Sequence, residues 1–152
     1  MQTPSKKAFT MIELIFVIVV IGILAAIAVP KLAATRDDAT ITKAIATIGS
    51  VRSALATERQ KRILRGDFTA ITSLNNGGTG AFTNFSDDSD GNANPVLEYA
   101  VPACSNGQTG CWSVEGTTYT YHMPTSGTVE FTLDSNRFDC DAEDSNCRLL
   151  TQ

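Results

Sequence analysis

A long apolar run near the N-terminus, FTMIELIFVIVVIGILAAIAV at residues 9–29, restricts the folds open to this chain more than any other feature. As an α-helix these 21 residues would extend about 32 Å, which is enough to cross the roughly 30 Å hydrocarbon layer of a bilayer. A short segment containing Lys6 and Lys7 precedes the run, and this order predicts that the chain beyond the run is translocated. The sequence therefore predicts a single membrane span followed by a domain on the far side.

Glu13 is the fifth residue of this apolar run. A carboxylate inside a membrane helix costs roughly 2.5–3.5 kcal/mol on insertion scales, so it is by default a functional group that needs a partner. The alternative is a cleaved secretory signal, because residues 26–28 form an A-x-A site that would leave Val29 as the first residue. Neither a cleaved signal nor an inert anchor requires Glu13, so the carboxylate favours a functional site with a partner of opposite charge.

The segment KKAFTMIELIFVIVVIGILAAIAVPKL, residues 6–32, closely resembles the N-terminal signal of type IV prepilins and type II secretion pseudopilins. The resemblance implies that a prepilin peptidase cuts between Ala8 and Phe9 and that Phe9 is then N-methylated. It also implies that Glu13 serves filament assembly. Ala8 departs from the family pattern, which usually has glycine immediately before the cut.

The same resemblance implies a fold, a location and partners. The implied fold is a pilin-like α+β one, in which a long N-terminal helix packs on a small antiparallel sheet. The implied location is the bacterial inner membrane, which the protein crosses once, with its head in the periplasm. After assembly the protein forms part of a periplasmic or extracellular filament. Its implied partners are further copies of itself, the inner-membrane assembly platform and minor pilins or pseudopilins. A pilus, a secretion system and a DNA-uptake system remain open, and so does a membrane-anchored periplasmic binding domain that forms no filaments.

Beyond the apolar run the sequence predicts that the helix continues. Pro30 should kink or locally unwind it, because proline removes a backbone donor and clashes with the preceding turn. Apolar residues then recur at spacings of three and four, as expected for one helix face: Ile41, Ala44, Ile45, Ile48, Val51 and Leu55. Gly66 is a natural helix stop, and the cations before it predict a solvated, dipole-matched helix end: Arg59, Lys61, Arg62 and Arg65.

The predicted organisation has four segments: a leader at 1–8, a hydrophobic helix at 9–30, an amphipathic helix at 31–66 and an α+β head at 67–152. The composition of residues 67–102, rich in Gly, Asn, Ser, Thr and Asp, predicts a long surface loop rather than a packed element. Four strand-like segments follow and predict an antiparallel meander: 111–114, 117–123, 129–134 and 137–140. Tyr119, Tyr121, Val129 and Phe131 are expected to pack against the apolar face of the helix.

All four cysteines lie beyond the apolar run, where oxidation is expected: Cys104, Cys111, Cys140 and Cys147. Four cysteines allow three connectivities. Turn-forming residues between the members of each close pair favour Cys104 with Cys111 and Cys140 with Cys147. The second pair also resembles the disulfide-closed segment near the C-terminus of many type IV pilins.

Calcium is the one cofactor that the sequence leaves open. Residues 87–92 approximate a D-x-D-G calcium loop, with Asp88 and Asp90 as candidate ligands, but Leu97 stands where an EF-hand loop has its closing glutamate. A solvated acidic loop explains the same residues.

Enzymatic activity and nucleic-acid binding are both disfavoured. The single histidine, His122, lies in a strand-like segment with threonines, and the chain has no G-x-S-x-G, P-loop or H-E-x-x-H motif. The formal charge is +6 over residues 1–66 and −10 over residues 67–152, so the predicted head would repel a phosphate backbone.

Overall fold

The computed structural model describes residues 9–105 and 107–152. The predicted leader and its cleavage residue Ala8 lie outside the described residues. The helices and strands follow in the order α1 (Met11–Leu64), β1 (Cys111–Glu115), β2 (Thr118–His122), β3 (Thr128–Asp134), β4 (Arg137–Cys140) and α2 (Ser145–Thr151). The chain divides into two compact units, Met1–Arg36 and Asp37–Gln152.

The first unit, over its described residues, is the N-terminal part of α1. Nearly all of its large apolar side chains are exposed, from Phe9 to Leu32. By length and composition this part of the helix can cross a membrane, as the sequence predicts. Residues on both sides of Pro30 are helical, and α1 shows no unwound turn there.

The second unit contains a four-stranded antiparallel sheet in the order β1-β2-β3-β4, which confirms the predicted meander. Tyr119 lies opposite Phe131 and Tyr121 opposite Val129, so the large side chains of neighbouring strands share one buried face. The aromatic rings on this face touch one another; for example, Phe131 stacks on Phe138 with ring centroids 5.0 Å apart. The strand ends lie within a residue or two of the predicted ends.

The part of α1 from Asp37 onward covers this buried face. Its buried residues are spaced by four, three and four, as expected for one stripe of an α-helix: Ala44, Ile48, Val51 and Leu55. The Tyr121 hydroxyl donates to the carbonyl of Thr40 (3.1 Å), and Arg52 Nε donates to the carbonyl of Phe138 (3.0 Å). The predicted packing of helix on sheet is confirmed.

The loop between α1 and β1 corrects the sequence interpretation. Residues 67–102 do not form a surface loop alone, because six of their hydrophobic residues are buried: Ile71, Leu74, Ala81, Phe82, Phe85 and Val96. Phe82 stacks on Tyr119 at 5.3 Å and meets Trp112 edge-on at 5.0 Å. The polar and glycine residues that predicted a solvated loop instead form the turns between these single buried side chains.

Two disulfides complete the second unit. Cys104 is joined to Cys111 and Cys140 to Cys147, which are the local pairs favoured from the sequence. The second bridge ties the end of β4 to α2, whose first turn is capped by Asp144 accepting from the backbone N–H of Asn146 (2.9 Å). The disulfide and the cap thus fix α2, which contributes Cys147 and Leu150 to the buried core.

Candidate functional site

The candidate assembly residues Phe9 and Glu13 lie at the start of α1. Thr10 precedes the first helical residue, and its hydroxyl accepts from the backbone N–H of Glu13 (3.3 Å). In return, Glu13 Oε2 accepts from the hydroxyl (3.4 Å) and the backbone N–H (3.5 Å) of Thr10. This reciprocal pattern is a capping box, and the helix can therefore begin directly after Phe9.

The sequence interpretation missed this capping role, although the T-x-x-E spacing of Thr10 and Glu13 is its usual signature. Capping contacts of 3.3–3.5 Å are long for hydrogen bonds and leave most of the carboxylate's bonding capacity free. The capping hydrogen bonds therefore do not provide the Glu13 carboxylate with a partner of opposite charge.

No cation among the described residues lies within ion-pair distance of Glu13. Lys31 is the next described cation along the chain, 18 residues on, which is about 27 Å of α-helix. The side chains around Glu13 are apolar and exposed, with Ile12 at 77% and Phe16 at 69%. The carboxylate thus lies on a helix surface that is built for burial and offers it no opposite charge.

A second cluster of charges lies at the other end of α1. Arg62 is fully buried, pairs with Glu58 (Nε to Oε1, 3.1 Å) and donates to the carbonyls of Ser86 and Asp87. Asn94 donates to the same Glu58 oxygen (3.1 Å). The prediction of a solvated helix end is wrong for Arg62, because its guanidinium supplies donors to the loop that folds over it. The i,i+4 spacing of Glu58 and Arg62 is the local signal that could have indicated the pair.

The candidate metal ligand Asp88 is engaged in hydrogen bonds within its own turn. The Asp88 Oδ1 atom accepts from the backbone N–H groups of Asn92 (2.8 Å) and Asp90 (3.0 Å). Its buried Oδ2 atom is 3.2 Å from Arg65 Nη2, an ion pair outside hydrogen-bond geometry. The hydrogen bonds from Asn92 and Asp90, with the Arg65 charge, hold the pKa of Asp88 below its usual range despite burial.

Within the part of the chain that the structure describes, no group of three or more Asp, Glu, His or Cys side chains is arranged to hold a metal ion. This finding does not support the calcium site at Asp88 and Asp90, which stays a prediction. Asp90 itself is exposed, and the carboxylate of Asp88 is occupied by the turn that it closes.

His122 has a structural partner. Its Nε2 atom lies 2.7 Å from the hydroxyl oxygen of Ser113 on the neighbouring strand. This is the hydrogen bond expected of a half-buried strand histidine.

Comparison with known proteins identifies the N-terminal segment. Residues 3–29 match the model of the prokaryotic N-terminal methylation motif. Through this motif, the chain is similar to type IV pilins and type II secretion pseudopilins, which are structural proteins rather than enzymes.

Three relatives each match about a third of the chain. The major component of a type IV narrow pilus of Thermus thermophilus is 54% identical over 50 residues, 33% of this chain and 43% of the relative. The type II secretion system core protein G of Klebsiella michiganensis is 40% identical over 55 residues, 36% of this chain and 39% of the relative. The corresponding protein of Pseudomonas aeruginosa matches with the same identity and the same shares.

The chain therefore matches less than half the length of these curated relatives. No solved structure gives a significant match. The match to the methylation motif ends at residue 29, before the long loop, the sheet and the two disulfides.

Proposed function

We propose that this chain is a structural subunit of a type IV pilus-like filament or of a type II secretion pseudopilus. One observation carries the proposal: a methylation motif leads into an exposed apolar helix in which Glu13 has no opposite charge among the described residues. A filament of such helices would bury the apolar surface and supply the missing charge.

The chain itself can supply that charge after processing. Cleavage between Ala8 and Phe9 by a prepilin peptidase creates an α-amine on Phe9, and methylation of the nitrogen leaves it able to carry a proton. An amine about 4 Å from a carboxylate recovers about 4 kcal/mol at an effective dielectric near 20, which exceeds the insertion cost of one carboxylate. The amine of one subunit and Glu13 of its neighbour would then be buried together.

The proposal also sets the order of events. The precursor is held in the bacterial inner membrane by the apolar part of α1, with the disulfide-bonded second unit in the periplasm, where cysteines oxidise. After the leader is removed, the inner-membrane assembly platform extracts the helix and adds it to a growing filament of identical copies, with minor pilins or pseudopilins as further partners.

Replacement of Glu13 by glutamine tests the proposal. Glu13→Gln should reduce the yield of sheared or pelleted filaments at least tenfold, because the amide cannot form the ion pair with the Phe9 amine. Membrane insertion should be unchanged, since the apolar run is long enough without a charge. The measurement is immunoblotting of sheared and membrane fractions, with intact mass of the membrane form showing loss of residues 1–8 and one methyl group.

Glu130→Gln is the matched control, because Glu130 is an exposed glutamate on β3, far along the chain from the motif. It should leave the filament yield unchanged. A normal yield from Glu13→Gln would contradict the pairing. A mature chain that begins at Val29 would instead support an ordinary secretory signal, and a processed chain that never enters filaments would support a membrane-anchored binding domain.

A further inference from the structure

The C-terminal end of α1 carries an exposed apolar surface next to a cation. Leu64 and Phe68 are 87% and 72% exposed, and Ile63 is 44% exposed. The Lys61 side chain beside them is 57% exposed and only 3.6 Å from Glu58 at its nearest approach. We call Lys61, Ile63, Leu64 and Phe68 the basic apolar end. Three large apolar side chains this exposed within six positions of the chain are typical of an interaction surface.

A surface of opposite charge lies in the second disulfide loop. Asp141, Glu143 and Asp144 follow one another within four positions between Cys140 and Cys147, and Leu149, five positions further on in α2, is 50% exposed. We call Asp141, Glu143, Asp144 and Leu149 the acidic C-terminal loop. The Glu143 side chain is exposed and forms no hydrogen bond or ion pair among the residues described.

The two surfaces lie at different places on the second unit. The acidic C-terminal loop follows Asp139, whose carboxylate pairs with Arg52 at 2.7 Å. Arg52 precedes Leu64 by 12 residues, which is about 18 Å along α1. Among the described residues of one copy, no hydrogen bond or ion pair joins the two surfaces, so a second copy can supply the partner of each.

We propose that the basic apolar end of one copy docks onto the acidic C-terminal loop of a second copy. The charges are complementary, with Lys61 against Glu143 and its neighbours, and Leu64 and Phe68 supply apolar contact for Leu149. A contact between two different patches of the same chain is heterologous, so it adds subunits indefinitely when its rotation does not close a ring. This inference rests on the proposed filament function and names a contact that would hold the second units together in it.

The acidic C-terminal loop is suited to this role because it is already rigid. The disulfide and the Asp144 cap fix its backbone, so little conformational entropy is lost when a partner binds. An exposed ion pair contributes little to affinity by itself, but it sets orientation and excludes wrong registers. The apolar side chains would provide most of the attraction in each contact.

Charge exchange tests the contact in cells that make filaments of the full chain. Lys61→Glu and Glu143→Lys should each lower the yield of sheared filaments about fivefold, since each turns an attraction into a repulsion. The double variant Lys61→Glu/Glu143→Lys should restore most of the yield, because it reverses both charges of the pair. If the first substitution lowered the yield by damaging the fold, the second substitution would not repair it. Recovery of the yield in the double variant would therefore show that the two side chains interact.

The control exchanges a cation elsewhere on the same helix: Lys43→Glu combined with Glu143→Lys should give no recovery. Normal yields from both single variants, or no recovery in the double variant, would overturn the contact.

Docking of the basic apolar end on an anionic lipid surface would be weakened by Lys61→Glu and not restored by Glu143→Lys. If filaments form and need Glu13 while these variants have no effect, the contact is wrong and the proposed function stands. If the wild-type chain forms no filaments, both fail.

Discussion

Arg62 shows how one side chain can hold together parts of the chain that are distant in sequence. Its guanidinium lies between Glu58, on the preceding helical turn, and the carbonyls of Ser86 and Asp87 in the loop. All four are polar groups that would cost free energy if they were buried without partners. Arginine is suited to the position because its planar fork can donate in several directions at once.

Truncation of Arg62 should therefore be among the more destabilising single changes in the second unit. Arg62→Ala should lower the free energy of unfolding by about 3–5 kcal/mol, because it leaves Glu58 as a buried charge without its main partner. Chemical denaturation of the detergent-solubilised chain, followed by circular dichroism, measures the loss.

Arg59→Ala is the matched control for this change. Arg59 is only partly buried and makes one hydrogen bond to a loop carbonyl, that of Thr69, at 3.2 Å. Its truncation should cost less than about 1 kcal/mol. Equal effects of the two substitutions would show that the buried pair does not hold the loop.

At the scale of elements, α1 ends where the sequence predicts, and the reason is local. Gly66 has φ +80°, and the N–H of Asp67 donates to the carbonyl of Arg62 (2.9 Å) while the N–H of Gly66 donates to that of Ile63 (3.0 Å). These two bonds form a Schellman motif, which needs a residue that tolerates the left-handed region.

The strands could be predicted for a similar reason. Alternation of large and polar residues in β2 and β3 depends on the two-residue period of a strand and on nothing distant. The helix face could likewise be predicted from the spacing of Ala44, Ile48, Val51 and Leu55. For the candidate assembly site, residues 9–13 could be identified because the motif is contiguous in sequence.

The loop could not be predicted, because its buried residues have no period. Phe82 adopts φ 59° and inserts alone between aromatic rings of the sheet, an arrangement fixed by those rings and not by its neighbours in sequence. The hydrogen bonds from Arg62 to the loop could not be predicted for the same reason, since their acceptors lie 24 and 25 residues further along the chain. Contacts that depend on such distant residues leave no local pattern to read.

The junction between α1 and the loop should be sensitive to acid. The hydroxyl and the backbone N–H of Thr69, and then the N–H of Ser89, donate to the Asp67 carboxylate and hold its pKa well below the usual range. Because the folded-state pKa is lower than the unfolded-state value of about 4, this group stabilises the fold above that value. Its contribution is lost as the pH falls toward the folded-state pKa.

Asp67→Asn tests this coupling. The denaturant midpoint of the detergent-solubilised chain should fall between pH 7 and pH 3 in the wild type, and it should fall less in Asp67→Asn, which lacks the titrating group. Asp38→Asn is the control, because Asp38 is exposed and its side chain has no hydrogen-bond or ion-pair partner among the described residues. An unchanged pH dependence in Asp67→Asn would show that the carboxylate does not couple the loop to folding.

At the scale of the whole molecule, the two units differ in what they need to be stable. Every buried hydrophobic residue that the structure describes lies between Ala44 and Leu150, so the second unit contains the core. The apolar side chains from Phe9 to Leu32 find no cover within the described chain. The first unit must therefore gain its stability from lipid or from other copies, whereas the second does not depend on it.

A chain that begins at Asp37 should accordingly fold without the first unit. When it is exported to the periplasm behind an ordinary secretory signal, residues 37–152 should be soluble, form both disulfides and unfold in one cooperative transition, because the helix stripe, the sheet and the loop are all retained. Size-exclusion chromatography and thermal unfolding measure this. The control is the same truncated chain with both Cys140→Ser and Cys147→Ser, which should be about 2.5 kcal/mol less stable because it lacks a disulfide that closes a loop of this length.

The truncated chain should be monomeric at micromolar concentration, since the contact between the basic apolar end and the acidic C-terminal loop is weak without the helices of the first unit to raise its effective concentration. Aggregation of the truncated chain would show instead that residues before Asp37 are part of the folding unit.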